Sequence, residues 1–215
     1  MAQNKSGQVY AGMGAIVHPG GTAFRVWAPN AQAVFVKGDF NQWAEAANPL
    51  TREENGTWYT DVAGAQTGQA YKFVIQNGDL MLERIDPYAR QVTNSSGNGM
   101  IYDPARFEWG ADAFRLPAHN ELVIHEMHVG AFFTDRQGHP GDFDDALEKL
   151  SHLKRLGVNA IQVMPVAEFA GDYSWGYNPA NIFAVESACG GPHVFKTFVR
   201  AAHQHGFGVI QDVVY

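Results

Sequence analysis

From Phe143 onward one construction is used twice: an amphipathic helix, a glycine, then an apolar strand. In the first copy Phe143, Ala146, Leu147, Leu150 and Leu153 recur at helical spacing and define one apolar face. Asp142 stands where an N-cap is needed, Gly157 ends the helix, and residues 158–164 read as a strand. In the second copy Val194, Phe195, Phe198, Val199 and Ala202 share a face, Gly206 ends the helix, and residues 208–215 read as a strand. A further strand, residues 122–127, precedes both copies. Parallel neighbours need a crossover long enough to hold a helix, so this alternation predicts a parallel β/α sheet. Such a sheet carries its chemistry on the loops that follow the strands.

The first half has a different grammar. Residues 22–28, 33–37 and 70–75 are short β-branched and aromatic runs. Turn signals separate them: Pro19-Gly-Gly21, Pro29-Asn30, Gly38-Asp39, Asn55-Gly56 and Asn77-Gly78. That pattern predicts an antiparallel β-sandwich over residues 1–115. A polar loop at Asn94-Ser-Ser-Gly-Asn-Gly99 and a crossing at Leu116-Pro-Ala-His-Asn120 then lead into a second domain, residues 116–215.

Charge removes several partners. With a formal net charge of -7 and a pI near 5.6, the chain lacks the basic face that phosphate backbones require, so no nucleic acid is expected. No apolar run approaches the roughly 20 residues needed to cross a bilayer. The opening Met1-Ala-Gln-Asn-Lys-Ser-Gly7 has no apolar core of a secretory signal. A lone Cys189 excludes an internal disulfide and fits a reducing cytoplasm.

The loop after the second parallel strand presents Tyr173, Trp175 and Tyr177 at alternate positions, beside Asp172 and Asn178. Flat rings suit the apolar face of a pyranose, and Asp and Asn suit its hydroxyls. Asp212 interrupts an apolar strand, sharing a face with Ile210 and Val214, and a carboxylate there needs a partner or a task. On the first half Trp43, Trp58 and Lys72 either form a sugar-binding face or belong to the core. Metal ligation fails on geometry, because His125 and His128 face opposite ways on a strand and His203 and His205 diverge on a helix. No glycine-rich phosphate loop is present, and no cofactor is expected.

Four stretches of the second half resemble the α-amylase superfamily, glycoside hydrolase family 13. They are Gly157-Val-Asn-Ala-Ile-Gln-Val-Met-Pro165, Trp175-Gly-Tyr-Asn-Pro179, Phe183-Ala-Val-Glu-Ser187 and Asp212-Val-Val-Tyr215. The first half is similar to the immunoglobulin-like early-set, family 48 carbohydrate-binding module of branching and debranching enzymes, through Phe24-Arg-Val-Trp-Ala-Pro-Asn30, Gly38-Asp-Phe-Asn-Gln-Trp43 and Tyr71-Lys-Phe73. The resemblance implies the first β/α units of a (β/α)₈ barrel, ending after its third strand, and an α-glucan as partner. It implies that Tyr177 stacks under the sugar at the cleavage subsite and that Asp212 helps organise the site. The family's nucleophile and acid/base follow later strands, so no catalytic residue is expected in this chain, and alone it is expected to be inactive with an aggregation-prone last strand. The motif combination leans toward glycosyl transfer by glucan branching enzymes, ahead of trehalohydrolases or amylase-like hydrolases. A non-catalytic glucan-binding module is the reading of another class. Two positions depart from the pattern: Gln211, a polar amide where an aliphatic residue usually packs under helices, and Cys189, where a Tyr is common and whose loss is expected to loosen the loop.

Overall fold

The computed structural model describes residues 9–215; the opening residues read for a signal lie outside the described residues. The chain divides into two compact units, Met1–Pro104 and Ala105–Tyr215. The division falls upstream of the 115/116 boundary expected from the change in grammar.

In the first unit the strands are β1 (Gly14–His18), β2 (Gly21–Trp27), β3 (Ala33–Gly38), β4 (Thr51–Arg52), β5 (Thr57–Ala63), β6 (Ala70–Asn77), β7 (Leu80–Arg84) and β8 (Gly99–Met100). They form two antiparallel sheets, one ordered β1-β2-β5-β4 and the other β3-β6-β7 with β8 on the edge of β6. The alternating residues that face inward from both sheets make the core: Phe24, Val26 and Trp58 from one, Val34, Val36, Tyr71 and Phe73 from the other. Phe24 lies 5.0 Å from the ring of Tyr71 and edge-on to Phe73 at 6.5 Å. Within this apolar core Tyr71 Oη donates to the fully buried Asp86 Oδ2 at 2.6 Å. Burial pushes the Asp86 carboxyl up to about 6.

The second unit opens with β9 (Ile124–Met127), α1 (Val129–Phe132), α2 (Phe143–Leu147), α3 (Leu150–Arg155) and β10 (Ala160–Val163). It continues with β11 (Ala167–Phe169), β12 (Pro179–Val185), α4 (Gly191–Gln204) and β13 (Gly208–Gln211). β9, β10 and β13 are parallel neighbours with β10 central; Ala160 lies opposite both Ile124 and Gly208. Asp142 caps α2 in a reciprocal box with Asp145, each side chain accepting the other's backbone N–H. Gly157 and Gly206 both turn the chain with left-handed φ values of +84° and +82°, as the repeated construction requires.

The expected single helix is two, joined where Lys149 N–H donates to Ala146 O at 3.1 Å, a tightened turn that keeps Leu150 and Leu153 on the buried face. Phe143 meets Phe195 and Phe198 of α4, and Met127, Ile161 and Val163 complete the helix-covered core. The strands are shorter than expected, yet Asp212 N–H still donates to Val163 O at 2.9 Å, one rung past β13. Gln211 is exposed and does not lie beneath the helices as expected. The antiparallel pair β11–β12 was not anticipated; it carries the aromatic loop between its strands. No helix among the described residues is long and apolar enough to cross a membrane.

Candidate functional site

The face of the parallel sheet away from the helices carries a polar row. Glu126 of β9 and Gln162 of β10 are register partners, and Gln162 Nε2 donates to Glu126 Oε1 at 3.3 Å. Asp212 follows at the end of β13 on the same face, two residues beyond Ile210, the partner of Gln162. Tyr177, at the end of the β11–β12 loop, donates its hydroxyl to Asp212 Oδ2 at 2.9 Å. This bond to a carboxylate holds the Tyr177 phenol above its ordinary range, with the charge of Glu126 adding to the effect. Tyr177 and Asp212 were each named in the sequence expectations but their bond to one another was not, and Glu126 and Gln162 were missed. Their signal was available, since Glu126 interrupts an apolar strand as Asp212 does.

Local backbone chemistry shapes the loop. Gly176 has φ +86°, and a Cβ there would sit 1.9 Å from Pro165 O, so only glycine fits. Its N–H donates to Ser174 Oγ at 3.0 Å, and that hydroxyl donates to Asn178 Oδ1. His128 ties the loop to the first strand. Its Nδ1 accepts from Ala131 N–H at 3.1 Å, so its hydrogen sits on Nε2, which donates to Ser174 O at 2.8 Å. Tyr173 Oη donates to Gly138 O, while its ring, like that of Trp175, is more than 70% exposed. Tyr177 is half-exposed at 48%, held at one end and open on its ring. Beside Tyr173 and Trp175 lies a mainly apolar cavity of about 660 Å³, lined also by Glu126, His128, Asp172 and Cys189 among others.

Two buried carboxylates brace the other side of the loop and had no counterpart in the sequence expectations. Glu168 accepts from Ser187 N–H at 2.7 Å and from its hydroxyl, and Glu186 accepts from Phe169 and Ala188 N–H groups at 3.0 Å. Burial pushes Glu168 up to about 7 and raises Glu186, with Asp172 nearby adding to both. Cys189 sits in the turn they hold; burial raises its thiol to about 12, so it is not an activated nucleophile.

On the sandwich the three proposed sugar contacts do not share a face. Trp58 is only 6% exposed, packed in the core with Nε1 donating to Ala28 O at 2.9 Å, which corrects its assignment to a binding surface. Its place on β5 points it at the opposite sheet. Trp43 is half-buried after β3 with Nε1 on Asp39 Oδ1, and Lys72 lies on the outward face of β6 opposite Lys37 and near Glu83.

The sequence profile of the α-amylase catalytic domain matches residues 88–215, more than half of the chain. The chain belongs to the α-amylase family. Ahead of that domain, carbohydrate-binding module 48, the isoamylase N-terminal domain, matches residues 12–89 of this glycoside hydrolase family 13 chain. A 1,4-α-glucan branching enzyme from Salinibacter ruber is 35% identical over 95% of the chain and 35% of its own length. A malto-oligosyltrehalose trehalohydrolase from Arthrobacter ramosus is 38% identical over 89% of the chain and 32% of its own length. Among solved structures, a putative α-amylase from Salmonella typhimurium superposes with a TM-score of 0.82 at 32% identity, covering 95% of this chain and 33% of its own. A pullulanase from Anoxybacillus sp. LM18-11, complexed with maltotetraose, gives 0.81 at 29% identity, covering 95% and 35%. The chain thus spans about a third of the length of these relatives. In this family member the sandwich precedes the opening β/α units of a (β/α)₈ barrel.

Proposed function

We propose that this chain supplies the sandwich and the first part of the barrel of a retaining α-glucan enzyme, most closely a 1,4-α-glucan branching enzyme. A carboxylate nucleophile forms a glycosyl-enzyme in that mechanism, and a second carboxyl acts first as acid and then as base. The resemblance to the family places both groups after later strands than the three parallel strands described above. This chain's share is binding: the Tyr177 ring forms the floor under a glucosyl unit, Asp212 accepts from a sugar hydroxyl, and Trp175 and Tyr173 flank the path. The observation that carries the reading is the Tyr177–Asp212 bond, which fixes an open aromatic ring over the ends of the parallel strands.

The 38% identical relative favours a second reading, hydrolysis that releases trehalose from a maltooligosyl substrate. The full-length protein incubated with amylose and, separately, with a maltooligosyl-trehalose decides between them. New α-1,6 anomeric signals in proton NMR support branching; trehalose released from a maltooligosyl-trehalose with no new branches supports the second reading. Activity on neither substrate overturns both. The free, buried Cys189 is compatible with the reducing cytoplasm we propose as the setting.

A further inference from the structure

At the other end of the parallel strands, the segment between residues 107 and 116 folds back over the last turns of α4 and leaves a cavity of about 310 Å³. Arg200, His203 and Gln204, spaced to share one helix face, line it from α4, and Trp109, Asp112 and Phe114 line it from the segment. Each group is held. Arg200 lies over the ring of Phe107 at 5.1 Å, and its Nη1 donates to Glu108 O at 2.7 Å. His203 Nδ1 lies 2.6 Å from Asp112 Oδ2 with Phe114 stacked on its imidazole at 4.6 Å. The hydrogen bond from His203 keeps the Asp112 carboxyl below its usual range. Trp109 packs edge-on against Phe107 at 4.8 Å and remains 42% exposed.

We propose that this cavity is an accessory binding site for about one or two glucosyl units of an α-glucan chain, a volume at the lower end of ligand pockets. The indole offers a flat apolar surface, and the guanidinium, imidazole, amide and carboxylate are planar groups that can pair with adjacent hydroxyls. An anion is the poorer occupant, because Asp112 shares the lining and the chain carries a net charge of -7. The site lies beside Gly208, where β13 begins, whereas Tyr177 meets Asp212 where that strand ends. A glucan held at both ends would keep the polymer on the protein between encounters with the Tyr177 loop. The proposal rests on the α-glucan reading above.

The test is titration of the whole chain with maltoheptaose while the tryptophan indole N–H resonances are followed by NMR, with Trp109→Phe identifying the Trp109 signal. A saturating shift of that signal is expected. Gln204→Ala, a change at an exposed position that leaves the fold intact, is expected to weaken the affinity read there about fivefold. Shifts at Trp43 or Trp175 with a silent Trp109 overturn the accessory site and leave the glucan reading standing. No shift anywhere overturns both. A Trp109 response to inorganic phosphate but not to maltoheptaose overturns the proposal in favour of an anion.

Discussion

Tyr177 Oη donates to Asp212 Oδ2 across 2.9 Å, joining the loop of the β11–β12 pair to the end of β13. The bond fixes the ring edge and leaves its face open, which is the geometry a stacking floor needs. In the full-length protein Tyr177→Ala is expected to lower kcat/KM by about fivefold or more, whereas Trp175→Ala, with no such anchor, lowers it little. Tyr177→Phe keeps the ring and loses the anchor, so its loss falls between the two. Equal small losses for all three substitutions assign the loop to scaffolding.

Gly176→Ala tests how tightly the loop is defined. The added Cβ meets Pro165 O at 1.9 Å in a backbone region that alanine disfavours. The expected outcome is a loss of about 2 kcal/mol or more of stability in urea unfolding, together with loss of the Tyr177–Asp212 bond. A variant with unchanged stability shows that the turn accommodates a side chain.

Glu168 and Glu186 predict a pH dependence with a definite sign. Both have folded values above those of an unfolded carboxyl, Glu168 at about 7, so between the unfolded and folded values the native state holds more protons than the unfolded chain. The stability they contribute is full below that range and is lost as pH climbs through it. Unfolding of the second unit is therefore expected to be easier at about pH 8 than at about pH 5, by an amount on the order of 2 kcal/mol. Glu168→Gln, which keeps an oxygen acceptor for Ser187, is expected to flatten that slope in thermal unfolding. A slope that persists unchanged in the variant places its source elsewhere, with Asp86 the next carboxyl to replace.

The two tryptophans of the sandwich separate surface from core. Trp58→Ala removes a buried ring and is expected to cost about 3–5 kcal/mol in denaturant unfolding. Trp43→Ala is expected to leave stability within about 1 kcal/mol and to reduce retention on immobilised glycogen. Full retention by Trp43→Ala excludes that ring from any sugar-binding face.

What the sequence determined by itself is the part of this protein written in local patterns. Helical spacing from Phe143 to Leu153 and from Val194 to Ala202, with glycines at 157 and 206, marks out the crossovers, and a crossover between strands leaves parallel pairing as the solution. The Tyr177 and Asp212 positions were legible because each breaks or punctuates such a pattern. Tertiary structure decided what depends on distant neighbours. Trp43 and Trp58 look alike in sequence, yet only the second faces the opposite sheet. Glu168 and Glu186 became buried, proton-holding braces because β11 and β12 pair antiparallel across the aromatic loop, an association no spacing announced. The segment from Phe107 to Leu116, which carries neither a helical nor an alternating pattern, packs on α4, because burial and pairing are set by groups far away along the chain.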